Sequence, residues 1–156
     1  MKASKVAGHP HIRKLGVSPV SDAFTYEYFE GLLESPEAKP TTSAKAFMIS
    51  EPGIAGVGNG YLQDILFRAK IHPRRRVTDL SQAERRALYD ATRETLMQAI
   101  ELGGRDTERD LYDRPGRYEK ILDSSSKGKP CPRCGTEIEK IQYLGGASYF
   151  CPGCQI

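Results

Sequence analysis

Four cysteines stand in the last 26 residues of the chain: Cys131, Cys134, Cys151 and Cys154. They form two Cys-x-x-Cys pairs with 16 residues between them. Two such pairs at this separation match a tetrahedral site of four thiolates for one zinc ion. Pro132 and Pro152 follow the first cysteine of each pair and preset φ for a turn that aims two sulfurs at one point. Gly135 gives the first pair a flexible exit. Disulfides and a redox Cys-x-x-Cys are the rival readings. The first needs an oxidising compartment. The second lacks a βαβ pattern around either pair. Four thiolates leave no position open for water, so the zinc is expected to be structural. In so small a unit it should supply most of the folding energy.

A second group of residues points to anions. Gly53, Gly56, Gly58 and Gly60 crowd a loop that runs through Asn59 into an apolar-periodic stretch beginning at Tyr61. Free amides at a helix N-terminus, together with the helix dipole, attract negative charge. Asn59 adds a side-chain donor. The string is not a dinucleotide fingerprint, because no strand precedes it. It is not a Walker loop, because no Gly-Lys-Ser/Thr follows. A tight interhelical turn whose glycines serve geometry alone stays open beside the anion reading. Downstream, Arg68, Lys70, Arg74, Arg75 and Arg76 run without an acid between residues 68 and 76. A solvated helix end explains such a run, and so does a phosphate-binding surface. His9, His11 and His72 are not spaced as ligands on one element, which argues against a metal hydrolase.

The elements that must carry these groups are mostly helical. Ser21 caps a first helix whose apolar face is Tyr28, Phe29, Leu32 and Leu33, ending near Ser35-Pro36. Thr41, Thr42 or Ser43 caps a short second helix through Ile49. Asn59 opens a third, amphipathic helix with Leu62, Ile65 and Leu66 on one side, stopped by His72-Pro73. Ser81 and Glu84 form a capping box for a long fourth helix. Its inner stripe is Leu88, Ala91, Thr95, Ala99 and Leu102, and Gly103-Gly104 ends it. Residues 136–144 read as a strand, 144–147 as a turn and 148–150 as the returning strand, which makes a zinc-ribbon β-hairpin. The expected division is an arm or linker over 1–20, a helical domain over 21–104, a connector over 105–127 and a zinc finger over 128–156.

The chain has 156 residues and a formal net charge of +3. Hydrophobic residues make up 38% and charged residues 28%. This suits one modest domain or two small ones and excludes a large barrel enzyme. No apolar run is long enough to span a bilayer, so no membrane partner is expected. The N-terminus lacks the apolar core of a secretory signal, so a cytoplasmic setting is expected. The mildly basic balance permits a polyanionic partner without requiring one.

Several strings taken together resemble the formamidopyrimidine-DNA glycosylase and endonuclease VIII family. They are Gly56-Val57-Gly58-Asn59-Gly60-Tyr61, Ile65-Leu66-Phe67-Arg68-Ala69 with Ile71-His72-Pro73, Leu15 through Phe24, Ala99-Ile100-Glu101 with Gly103-Gly104, and the two cysteine knuckles. The resemblance runs from about residue 15 to the end. It implies a mainly α fold, a helix-two-turn-helix bundle followed by a small zinc-ribbon hairpin. It also implies base-excision repair, with double-stranded DNA carrying a damaged or abasic site as partner. Asn59 and Lys45 match the family's phosphate contacts, and Tyr61 lies at a matching position beside them. Gly58, Gly60, Arg74, Arg75 and Arg76 complete the expected DNA-binding set. Where the family's hairpin presents an arginine, five residues before the third cysteine, this chain has Gly146. Gly145-Gly146 amides, Lys140 or Lys127 are the substitutes. The family's catalytic proline amine, followed by Glu and preceding a β-sandwich, has no counterpart here. Residue 2 is Lys2, and no sandwich fits before residue 21. No catalytic residue is therefore expected in this chain, and the missing N-terminal catalytic domain is an expected partner. A non-catalytic adaptor for DNA or structured RNA is the alternative.

Overall fold

The computed structural model describes residues 16–36 and 38–156. His9 and His11, and most of the expected arm, lie outside the described residues. The order is α1 (Tyr26–Leu33), α2 (Ala44–Ile49), α3 (Asn59–Ala69), a 3-10 turn (Val77–Asp79), α4 (Gln82–Glu101), then β1 (Glu139–Tyr143) and β2 (Gly146–Phe150). No described helix is long and apolar enough to cross a membrane.

Local chemistry sets the helix ends. Ser81 Oγ accepts from Glu84 N while the Glu84 carboxylate accepts from Ser81 N, so α4 opens on the expected capping box. Gly103 and Gly104, at φ 77° and 87°, carry the chain out of it. Ser43 caps α2, its Oγ accepting from Ala46 N. The expectation for α1 is corrected: its cap is Thr25, accepting from Tyr28 N, and not Ser21. Ser21 instead closes a turn on Ser18, whose carbonyl accepts from both Ser21 N and Oγ. That turn is held from α4. Arg93 Nη1 donates to the Ser21 and Phe24 carbonyls, each at 3.0 Å, and Tyr89 Oη donates to Phe24 O at 2.7 Å. Within the expected arm, Pro19 is buried and Val17 and Val20 pack on the core.

The main core lies where α2 and α4 pack on α3 and α1 packs on α4. Phe24, Phe29, Phe47, Leu62, Ile65, Ile71 and Leu88 are essentially sealed from solvent. Each such side chain contributes roughly 1.5–3 kcal/mol of burial. Phe24 stacks on Tyr89 at 5.6 Å, and Phe29 meets Phe47 edge-on at 5.5 Å.

Helix α3 departs from the expected one-sided amphipathic pattern. Leu62, Gln63, Asp64, Ile65, Leu66, Phe67 and Ala69 are all buried, because a second cluster covers its other face. Phe67 packs there with Leu122, Cys131, Ile138, Tyr149 and Cys151. The helix ends on Lys70 in the left-handed conformation, φ 61°, short of the expected His72-Pro73 stop.

Residues 105–127 form no helix but fasten to α3. The carboxylate of Asp64, fully buried, accepts from Tyr118 Oη at 2.7 Å and from the Ile121 and Leu122 amides at 3.0 Å. The hairpin pairs antiparallel from Glu139↔Phe150 to Tyr143↔Gly146, with Leu144-Gly145 at its tip. Its strands begin three residues later on the first side, and two earlier on the second, than the sequence spacing implied.

Candidate metal centre and nucleic-acid interface

The four cysteine sulfurs converge, all lying within 4.8 Å of one another. Cys134 and Cys151 stand 3.4 Å apart, and Cys131 and Cys154 3.9 Å. Zn–S bonds of about 2.3 Å in a tetrahedron require sulfurs about 3.8 Å apart. None of the four thiols is bridged, so the disulfide reading is set aside. Each knuckle is closed by its own backbone. Gly135 N donates to Cys131 O at 2.9 Å, and Gln155 N donates to Cys151 O at 2.9 Å. Hydrogen bonding with Thr136 lowers the pKa of the exposed Cys134 thiol, while burial raises that of Cys151. The four residues form a ligand set for one structural zinc ion, and among the described residues no fifth ligand joins the group.

The knuckles dock on the end of α3. Arg133 Nη1 donates to Phe67 O at 3.0 Å, and its guanidinium lies 4.2 Å from the Phe67 ring centroid. Gln155 links Cys151 N to Ile71 O. His72 N donates to Ile156 O at 2.8 Å, and the His72 ring meets Phe150 edge-on at 4.4 Å.

The glycine loop hands the chain from α2 to α3. Gly53 N and Ile54 N take the carbonyls of Phe47 and Met48 at the end of α2. Gly53, at φ 84°, lies in the left-handed region where a side chain is strained, and a Cβ there would stand 3.3 Å from the Ile49 carbonyl. Gly58 is the N-cap of α3 and makes no side-chain cap bond, and Asn59 is the first helical residue rather than the cap. The first intrahelical amide is that of Leu62, which reaches Gly58 O. The Asn59, Gly60 and Tyr61 amides thus remain for an outside acceptor.

Lys45, Asn59 and the hairpin meet at this helix start. Lys45 is 1% exposed. Its Nζ donates to Tyr143 O at 2.6 Å, Ser148 Oγ at 3.0 Å and Gly146 O at 3.4 Å. Burial lowers its pKa below the usual lysine value. Asn59 Nδ2 donates to Ala147 O at 2.9 Å. Both side chains expected to reach for phosphate therefore hold the hairpin by its backbone carbonyls. Gln63, one turn along α3, donates to the same Ala147 carbonyl at 3.2 Å and accepts from Tyr149 N. Gly146 lies so close that a Cβ would stand 3.3 Å from Asn59 Nδ2 and 3.8 Å from Lys45 Nζ.

The basic run divides. Arg68 pins α3 to α4 through Thr95 Oγ1 and Gln98 Oε1. Arg75 is held by the Glu84 carboxylate at 3.0 Å and by Asp79 O. Arg74 and Arg76 are exposed, with Arg74 lying 5.0 Å over the Tyr143 ring. Tyr61 Oη donates to Glu108 at 2.8 Å. Nothing in the local sequence pattern marks Arg105 or Glu108 as site residues. For Gln63 and Asp64 the available signal is two consecutive polar residues inside an apolar helix.

Comparison with known proteins agrees with this arrangement. The model of the formamidopyrimidine-DNA glycosylase H2TH domain matches residues 15–110. The model of the zinc finger found in FPG and IleRS matches residues 128–156. The formamidopyrimidine-DNA glycosylase of Pelotomaculum thermopropionicum is 39% identical over 148 residues, covering 92% of this chain and 52% of the relative. That of Thermus thermophilus is 38% identical over 152 residues, covering 94% and 55%. The chain thus spans about half the length of the curated relatives it matches. Among solved structures, the MutM (Fpg) protein of Thermus thermophilus superposes with a TM-score of 0.79 at 37% identity, over 95% of this chain and 56% of that one. Lactococcus lactis Fpg in complex with an abasic-site-containing DNA superposes with a TM-score of 0.83 at 31% identity, over 100% and 56%.

Proposed function

The chain belongs to the formamidopyrimidine-DNA glycosylase family through its H2TH domain and zinc finger, and from that premise we propose that it is the DNA-gripping portion of a base-excision-repair glycosylase and abasic-site lyase. Its partner is duplex DNA carrying a damaged or abasic nucleotide, met in the cytoplasm. Residues 21–104 form the DNA-binding helical domain, with Val17 and Val20 packed against it, 105–127 the connector and 128–156 the zinc finger. Base removal itself belongs to the half of the relatives that this chain does not match, so no residue here is assigned a catalytic role.

The observation that carries this reading is the uncapped start of α3. Three amides, a helix dipole and the buried Lys45 ammonium converge beside Asn59. Gly58, Asn59, Gly60 and Tyr61 present this face to a backbone phosphate. Lys45 adds fixed positive charge from behind while it holds the hairpin, and the exposed Arg74 and Arg76 take flanking phosphates. Arg75, paired with Glu84, shapes the turn between them. Flipping a nucleotide out of the stack costs a few kcal/mol, and grip on the backbone to either side offsets part of that cost.

The test is a titration of the full chain with three probes of equal length: an abasic duplex, an undamaged duplex and a structured RNA. The proposal expects tightest binding to the abasic duplex, with affinity falling as salt rises. Preference for the RNA would favour the adaptor reading, and absence of binding to all three would contradict both.

A further inference from the structure

The hairpin tip, Leu144-Gly145-Gly146, carries no cation. A cation nevertheless reaches the start of α3 from the segment that follows α4. Arg105 follows the glycine pair that ends α4, and its guanidinium rests directly on Gly60. A Cβ at residue 60 would collide with Arg105 Nη1 and stand 2.9 Å from its Cζ. Gly60 sits inside a helix, where glycine costs roughly 1 kcal/mol relative to alanine. Its helical backbone does not require glycine, but a side chain there would displace the Arg105 guanidinium from its present place.

Arg105 is held in place from two other directions. Its Cζ lies 5.0 Å over the Tyr61 ring. Its Nη2 donates to Glu108 Oε1 at 3.1 Å, while Glu108 Oε2 accepts from Arg105 N and from Tyr61 Oη, each at 2.8 Å. Glu108 thereby fixes both the guanidinium and the ring beneath it. Two nitrogens of the fork are left over. Nε is buried without a partner among the described residues, and Nη1, the nitrogen against Gly60, makes no hydrogen bond among them.

We propose that Arg105 is a further phosphate-binding residue of the α3 cradle, admitted by the missing side chain of Gly60 and held by Glu108 and Tyr61, supplying the cation that the glycine-tipped hairpin does not. The chemistry it recognises is a DNA backbone phosphate shared with the Gly60 and Tyr61 amides. With Nη2 on Glu108 and Nε sealed off, Nη1 beside Gly60 is the donor left for a phosphate oxygen. This inference rests on the reading that the start of α3 binds a phosphate.

The experiment measures binding of the full chain to a duplex bearing a tetrahydrofuran abasic-site analogue, over a series of salt concentrations, with thermal unfolding alongside. Arg105→Gln is expected to weaken binding about tenfold and to lower the slope of log K against log salt by about 1. Arg105→Lys should restore the slope and part of the affinity. Gly60→Ala should weaken binding although every charge is kept, because it displaces the guanidinium. Asn59→Ala is the reference. Weakening by Asn59→Ala with unchanged affinity and slope in Arg105→Gln overturns this inference and leaves the cradle standing. Unchanged binding in both overturns the cradle itself. Should Arg105→Gln unfold, Arg105→Met, which keeps an unbranched stem on Tyr61 and removes the charge, decides: a slope lowered by about 1 supports the proposal, and an unchanged slope overturns it.

Discussion

Lys45 Nζ lies 2.6 Å from the carbonyl oxygen of Tyr143, a residue 98 positions further along the chain. This contact makes the glycine-loop cradle and the zinc-bound hairpin one unit, since Asn59 and Gln63 hold Ala147 of the same hairpin. A buried ammonium needs its donors satisfied, and the hairpin carbonyls do so only while the knuckles hold the strands in register.

The first consequence concerns the metal. Cys151→Ser should reduce bound zinc from one per chain to well below one by elemental analysis. Residues 139–150 should then become susceptible to protease, because apart from its cysteines the ribbon adds only Ile138 and Tyr149 to the cluster it shares with Phe67 and Leu122. Affinity for abasic duplex should fall in parallel. Retained zinc with an intact hairpin would show that the four thiolates are not the ligand set.

Asp64 ties the connector to α3. Asp64→Ala removes the acceptor of Tyr118 Oη and two amides and leaves them buried without a partner. The expected loss is about 3 kcal/mol in chemical denaturation. Asp64→Asn, which keeps an acceptor oxygen, should lose less.

Gly146→Arg would place a cation at the hairpin tip, beside Asn59 and Lys45. Neighbouring atoms must yield by only a few tenths of an ångström. The expectation is tighter binding to abasic duplex with a salt slope steeper by about 1, read from the same salt series. Weaker binding would mean that the tip does not face the DNA.

The pH dependence of stability should carry a signature of His72. Burial and the adjacent Arg74 hold its imidazole below the ordinary histidine value, and its Nδ1 accepts from Arg74 N at 3.0 Å. The folded chain therefore resists a proton that the unfolded chain takes up near pH 6.5. This contribution is fully present above about 6.5 and is lost as the pH falls below it. Urea midpoints at about pH 7.5 and 5.5 should differ less in His72→Gln than in the parent. Protonation of the zinc thiolates acts on both proteins alike, so the difference between them isolates His72.

Legibility in the sequence followed the range of each interaction. The Ser81–Glu84 box, the Gly103-Gly104 exit and the paired cysteines are local, and each was readable from spacing alone. Ser21 reads as a cap from the residues around it, but Tyr89 and Arg93 hold its turn from α4, which periodicity around residue 21 does not reveal. The one-sided reading of α3 failed for the same reason. Gln63 and Asp64 look like solvent-facing polar residues until Ala147, Tyr149 and Tyr118 arrive from more than 50 residues away. Lys45 was legible as a residue that matters through the family pattern. Its grip on the hairpin was not, because backbone carbonyls leave no trace in side-chain identity.

The most direct measurement of the central claim is a backbone amide NMR titration of the zinc-loaded chain with abasic duplex. Binding at the uncapped start of α3 predicts the largest shifts at Asn59, Gly60 and Tyr61, followed by residues 144–147 of the hairpin. Saturable binding that leaves the three α3 amides unmoved, with shifts concentrated elsewhere, would contradict it.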